Sequence, residues 1–254
     1  MIVSRNPDNL PSVLRFVLTI VFHIVHAIAF ILTMKKALRN PELSRDDRWN
    51  TARKIGMKIV RLTNASVRTF GEENLPKEGG YLFVPNHQGR FDGLAVSCAH
   101  SPRISFILDE ARSDMVMEGD YLRLAESVPI PLGDARGCME AFRKVRDRVI
   151  SGDRFCVFPE GGYMDNGNTM REFRTGCLHY VKQMKCPIVP VCLFDSWRVY
   201  NYTRLRDAFR HVNVQVHILK PIMPQEYMNL SKTDMAALIK SRIQAKLDEL
   251  TAGN

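Results

Sequence analysis

No two of the six cysteines, at positions 98, 138, 156, 177, 186 and 192, stand at Cys-x-x-Cys spacing. That excludes a zinc ribbon and a thioredoxin-type redox pair. Several lie inside apolar runs, where cysteine acts as a small buried hydrophobe, so a reduced domain facing the cytoplasm is expected. Internal repeats, low-complexity tracts and Gly/Pro-rich linkers are also missing; 15 glycines and 13 prolines in 254 residues are near average. With 45% hydrophobic and 25% charged residues, the chain is not wholly disordered, collagen-like or a polytopic membrane protein. One core of about 200 residues with an appendage fits the length.

Positive charge is in excess, and it is localised. The formal net charge is +9, and Lys35 to Arg61 holds nine Lys or Arg against three acids, a local surplus of +6. Such patches face anionic surfaces, either lipid or nucleic acid. Just before it, Phe16 to Thr33 runs 18 residues without a charge, about 27 Å as a helix and the lower limit for crossing a bilayer. Thr19, His23, His26, Phe30 and Thr33 share one face of that helix. A membrane anchor, spanning or half-inserted, is the reading; a buried soluble helix and a signal peptide cleaved near Ala27-Ile28-Ala29 are the alternatives. His23 and His26 have no third ligand nearby, so no metal site is expected.

A second helix follows. Ser44 with Asp47 makes a capping-box-like start, and Trp49, Ala52, Gly56, Ile59 and Val60 share a face ringed by Arg48, Arg53, Lys54, Lys58 and Arg61. A basic amphipathic helix beginning with Trp suits a bilayer interface; the alternative is a solvated helix packed on its own domain. Residues 1–62 are therefore expected to anchor the protein, and residues 63–254 to form the main domain. The positive-inside rule places that domain at the cytoplasmic face of the cell membrane. The patch lacks interleaved aromatics and adjoins an apolar helix, so no nucleic-acid partner is expected.

Beyond residue 62 strands and helices alternate. Apolar runs at 81–85, 104–108, 128–132, 155–159, 187–194 and 212–219 read as strands. Most are continuous, as in a sheet covered on both faces; only the last alternates cleanly, like an edge or half-covered strand. Helical patterns lie between them, notably at 136–150, 175–184 and 232–250. The pattern is that of an α/β fold.

The chemistry-bearing residues cluster at strand ends. Asn86-His87-Gln88-Gly89-Arg90-Phe91-Asp92 follows the first strand and opens a helix. A turn there can fold the Asp92 carboxylate onto the His87 imidazole, fixing its tautomer and raising its basicity. Asp92 as a helix cap and His87 as a turn residue are the plainer readings. Phe158-Pro159-Glu160-Gly161-Gly162 again follows a strand, offering a carboxylate and close backbone approach to a ligand. Arg171 and Arg174 then precede a helix start, which suits an anionic ligand; a solvated charge run is the alternative.

Taken in order, Asn86-His87, Asp92, Phe158-Pro159-Glu160-Gly161, Phe173-Arg174-x-Gly176 and Pro187-Ile188-Val189-Pro190-Val191 resemble the glycerolipid acyltransferases, of the bacterial 1-acylglycerol-3-phosphate type, over roughly residues 55 to 250. The resemblance implies a mixed β-sheet flanked by helices, with an N-terminal helical membrane anchor. It implies acyl transfer from a thioester, on coenzyme A or acyl-carrier protein, to the hydroxyl of a lysophospholipid, with no bound cofactor and with His87 and Asp92 catalytic. Asn86, Arg136, Glu160, Gly161, Arg171 and Arg174 are the expected substrate-binding residues. Two positions depart from the family. Gly162-Tyr163 stands where it places Thr-Arg, and Asp134-Ala135-Arg136 displaces its third-strand arginine; both arginines are expected to hold the acceptor's phosphate. The readings left open beside this one are another lysolipid head group, a non-catalytic scaffold with the same fold, and a cysteine nucleophile at Cys98 or Cys156.

Overall fold

The computed structural model describes residues 21–163, 167–176, 178–200 and 210–253. Seven strands form one sheet: β1 (Ala65–Phe70), β2 (Tyr81–Pro85), β3 (Ser105–Asp109), β4 (Val128–Ile130), β5 (Arg154–Cys156), β6 (Ile188–Phe194) and β7 (Val212–Ile218). Their spatial order is β1-β7-β6-β2-β5-β3-β4. Only β6 and β7 run antiparallel, so the sheet is mixed. β2 is central and wholly buried, pairing Tyr81 with Arg154 on one side and Leu82 with Ile188 on the other.

The continuous apolar strands are covered on both faces, as their composition requires. On one face lie α5 (Ala135–Ile150), α6 (Leu178–Met184) and α7 (Lys232–Ala252), burying Val145, Val181 and Ile239 among others. On the other lie α2 (Arg45–Leu62) and α3 (Asp92–Ala99), through Trp49, Val60, Ala95 and Val96. Outside them, α1 (Ile24–Arg39) packs Phe30, Met34 and Ala37 against α2 and α4 (Glu118–Leu124).

Several expectations change here. Of the two readings of the alternating run at 212–219, the half-covered one holds at its start, where Asn213 is exposed between buried Val212 and Val214, and the edge one does not. The run is covered by β1, whose own alternating sequence carries Arg68 and escapes the apolar-run criterion. The 155–159 run forms a strand only as far as Cys156 and then turns outward as the loop at Glu160. α2 starts as expected, Ser44 accepting the Asp47 N–H at 3.1 Å, but its Trp49 is buried rather than placed at an interface. The indole packs in the core and donates to Ser101 O at 3.2 Å. Apolar burial against α3 and β1 outweighs any surface role for that face. Residues 16–20 of the uncharged run lie outside the described residues. The remainder continues as α1 past Thr33 into Lys35, Lys36 and Arg39, and no helix among the described residues is long and apolar enough to cross a membrane.

Candidate active site

The carboxyl ends of the parallel strands form one rim of the sheet, the usual ligand edge of open α/β folds. β2 ends at Pro85, which has no N–H to give the ladder; the Asn86 N–H makes the last bond, to Val191 O at 3.4 Å. Asn86 follows with its amide fully buried, donating to Leu193 O at 3.0 Å and accepting the Leu193 N–H at 2.7 Å. Both ends of that amide hold β6 to the turn, so Asn86 braces the site from behind rather than facing a ligand.

His87 then projects over the rim, its side chain 15% exposed, and Asp92 returns at the first turn of α3, wholly buried. Asp92 Oδ2 accepts His87 Nδ1–H at 2.7 Å and the backbone N–H groups of Gln88 and Gly89 at 2.6 and 2.9 Å. Its Oδ1 accepts the Ser196 hydroxyl at 2.6 Å. Four donors converge on this carboxylate, so the shared proton belongs to His87 Nδ1. Nε2 keeps its lone pair and makes no hydrogen bond among the described residues. The ring lies between Phe158 and Tyr163, with centroids 4.3 and 4.8 Å away.

Glu160 is also buried, and its role differs from the one expected of a ligand-facing carboxylate. Oε1 accepts the His87 N–H and Oε2 the Arg171 N–H, each at 2.7 Å. Glu160 is therefore a clamp that fixes the His87 turn to the segment carrying Arg171. Burial raises its carboxyl above the usual range, and the two backbone donors work against that. The Gly161 N–H closes a turn onto Phe158 O at 3.1 Å, so it is not available as an oxyanion donor.

Gly161 has φ +62°, and a Cβ there would lie 2.6 Å from Arg174 Nε; at Gly162, φ is +152° and a Cβ would come within 3.4 Å of Arg171 Nη1. The two glycines thus let both guanidinium groups lie against the loop beside His87. Arg136 goes elsewhere: it is 86% exposed and paired with Glu140 at 3.4 Å on α5. In its place Arg112, which the sequence did not single out, stands beside Tyr163 and pairs with Glu118 at 3.1 Å. Burial disfavours the Arg112 charge, and Glu118 with the Tyr163 phenol more than offset it.

Neither Cys98 nor Cys156 is suited to be a rival nucleophile. Burial pushes Cys98 up to about 11 and Cys156, wholly enclosed, well above the ordinary range. Thiolate, the reactive form, is scarce for both at neutral pH.

A family model described as Acyltransferase matches residues 66–194, just over half of the chain and the part that carries His87, Asp92, Glu160, Arg171 and Arg174. The chain belongs to the acyltransferase family. Within it, the chain is 24% identical over 204 residues to the 1-acyl-sn-glycerol-3-phosphate acyltransferase of Saccharomyces cerevisiae, covering 80% of this chain and 66% of that one. It is 26% identical over 176 residues to the Escherichia coli protein of the same name, 68% of this chain and 69% of the other. Among solved structures, the 1-acyl-sn-glycerophosphate (LPA) acyltransferase PlsC from Thermotoga maritima superposes with a TM-score of 0.74 over 98% of both chains at 22% identity, which establishes a shared fold.

Proposed function

We propose that this acyltransferase moves a fatty acyl group from an acyl thioester to the free hydroxyl of 1-acylglycerol-3-phosphate, giving phosphatidic acid. The observation that carries the reading is the His87–Asp92 pair at 2.7 Å with Nε2 turned to the rim. An acceptor hydroxyl is too weak an acid to ionise at neutral pH. His87 Nε2 takes its proton as the oxygen attacks the thioester carbonyl, and Asp92 stabilises the imidazolium. The tetrahedral intermediate collapses by breaking the C–S bond, and the leaving thiolate recovers the proton from Nε2. No metal or bound cofactor enters; coenzyme A or acyl-carrier protein is the co-substrate that brings the acyl group. Arg174 and Arg171 supply the charge for a phosphate, for which guanidinium forks are suited.

The names of the yeast and Escherichia coli relatives support the choice of acceptor. A membrane setting is supported by α1, which exposes Val25 and Leu32 at 74 and 63%, follows the 82% exposed Phe22, and ends in Lys35, Lys36 and Arg39. That combination of apolar face and basic end suits an anionic lipid surface at the cytoplasmic face of the cell membrane. Tyr163 at the edge of His87, where the family places arginine, favours a lysolipid with another head group as the second reading. One acceptor panel separates the two: lysophosphatidic acid, glycerol 3-phosphate, other lysophospholipids and a phosphate-free lysolipid. Lysophosphatidic acid is expected to give the highest kcat/KM; preference for a phosphodiester or neutral head group rejects the phosphate-monoester acceptor. No transfer to any acceptor leaves a scaffold.

A further inference from the structure

Asp92 is held on one side by its own turn and on the other by a residue 104 positions away. Ser196 opens the short 3-10 helix Ser196–Val199 that follows β6 and is 1% exposed. Its Oγ lies 2.6 Å from Asp92 Oδ1 and 2.9 Å from Gln88 Oε1. Gln88 Oε1 also accepts the Ser196 N–H at 3.1 Å. An amide oxygen and a carboxylate oxygen both lack protons, so the single hydroxyl proton goes to the closer, charged acceptor.

The serine is itself pinned. Gln88 Nε2 donates to Asn168 Oδ1 at 2.9 Å, and the same oxygen accepts the Asp195 N–H at 2.9 Å. Asn168 Nδ2 returns a bond to Asp195 Oδ1 at 2.9 Å, and Arg198 pairs with that oxygen at 3.0 Å. Asp195 adopts φ +64° to make the corner, a left-handed conformation uncommon outside glycine, Asn and Asp. A strained corner held by a closed polar network, and aimed at one carboxylate oxygen, fits a constraint on that carboxylate better than a chance surface contact.

We infer that Ser196 is a positioning residue of the His87–Asp92 pair: its hydroxyl supplies the only donor to Asp92 Oδ1 among the described residues, fixing the carboxylate plane and dispersing its charge away from His87. The inference rests on the acyl-transfer reading for its kinetic consequence, though not for its structural one. The groups that face the pair are Glu160 and Tyr163 from the loop after β5, Cys156 from β5 and, beyond them, Arg171 and Arg174. None of them bonds Oδ1, so none replaces the serine.

The test compares the full-length protein with Ser196→Ala and Ser196→Thr. In acyl transfer, Ser196→Ala is expected to lower kcat on the order of 10- to 100-fold, the rate equivalent of one hydrogen bond to a charged group, with both KM values unchanged. The acid limb of its kcat/KM profile should move to higher pH, because a less dispersed carboxylate holds the imidazolium proton more tightly. Ser196→Thr, which keeps the hydroxyl, should restore most of the rate and the parent profile. Independently of turnover, the Nδ1 proton resonance of His87 should be sharp in the parent and the Thr variant and broadened in the Ala variant. A parent that acylates nothing but shows this resonance pattern rejects the acyl-transfer reading and keeps the inference. An Ala variant with parental profile and resonance overturns the inference, as does one whose loss of rate only tracks a loss of folded protein.

Discussion

The heaviest charge cluster among the described residues sits at the amino-terminal ends of the parallel strands, the rim opposite His87, and its removal should cost stability without touching chemistry. Asp153, at the entry to β5, is nearly buried and accepts Arg45 Nη2 at 2.6 Å, Arg148 Nε at 2.7 Å and Arg103 Nη2 at 2.8 Å. Glu126 supports it by accepting Arg45 Nε at 2.6 Å. The cluster ties the start of α2, the approach to β3 and the end of α5 together. Burial alone would raise the Asp153 carboxyl; the hydrogen bonds from Arg103, Arg45 and Arg148 win and hold it well below the usual range. Replacing Asp153 with Ala leaves three guanidiniums with Glu126 and the exposed Asp46. Breaking a buried pair costs about 3–5 kcal/mol. The lower end applies here, because Arg45 is half exposed and water screens its share. About 3 kcal/mol in a chain of this size lowers Tm by roughly 6–12 °C. The assay is a thermal melt of parent and Asp153→Ala from pH 8 to 3. Because the folded carboxyl titrates below the unfolded one, its contribution is intact above the ordinary carboxylate value of about 4. It is lost only as pH falls further. The gap in Tm should therefore be constant from pH 8 to 5 and narrow below about 4, while the initial rate at 20 °C stays within about twofold of the parent. A Tm within about 2 °C of the parent at pH 7, or a gap that closes between pH 7 and 5, would refute the reasoning.

His87→Ala should abolish acyl transfer with a melting curve like the parent's; near-native turnover would remove His87 as the base. Asp92→Asn should lose on the order of 10³–10⁴ in kcat, as orienting carboxylates do elsewhere, read by steady-state kinetics on the best acceptor. Arg174→Ala and, to a lesser degree, Arg171→Ala should raise KM for lysophosphatidic acid far more than for the acyl donor. Arg136→Ala should leave both unchanged, since that side chain points to solvent beside Glu140. Val25→Glu with Leu32→Glu should weaken sedimentation with anionic vesicles by more than about tenfold, because each buried aliphatic side chain contributes on the order of 2 kcal/mol. High salt should release the double variant but not the parent; equal sedimentation of both would remove α1 as the lipid-facing element.

The strands that were legible share one property. β2 and β6 are continuous apolar runs entered from Gly80 and Pro187 and buried at every position, so burial on both faces was written into composition, and β3 was marked by Phe106-Ile107-Leu108 although only its first half is buried. β1 was not legible because half of it faces solvent at the sheet edge, and Arg68 and Thr69 hide its pairing with β7. The expectation for α2 went astray for a related reason. Counting charges and an apolar stripe cannot say which way the stripe points, and Trp49 suits a protein core as well as it suits an interface. Within the site, residue identity was readable at His87, Asp92 and Glu160, but not what the carboxylates bond. Glu160 takes two backbone N–H groups and Asp92 takes two more, and backbone donors leave no mark in a sequence. Ser196, Gln88 and Asn168 had no signal at all, since only the fold brings residues 88, 168 and 196 together.

The two rims of the sheet, at opposite ends of its parallel strands, handle arginine in opposite ways, and the difference bears on function. At the Asp153 rim the guanidiniums of Arg45, Arg103 and Arg148 are matched to carboxylates that the chain itself supplies. At the His87 rim the nearby carboxylates, Asp92 and Glu160, are already bonded by N–H and O–H groups of their own turns. Arg171 and Arg174 lie against glycines there, and Arg171 forms no ion pair with a carboxylate among the described residues. A guanidinium without a protein anion among the described residues, beside the His87 imidazole, is the electrostatic arrangement that an anionic acceptor completes. On this argument, adding an acidic residue to that loop should harm the enzyme more than deleting either arginine. Gly162→Asp would bring a carboxylate to the Arg171 guanidinium, compete with the acceptor's phosphate, and raise its KM above that of Arg171→Ala.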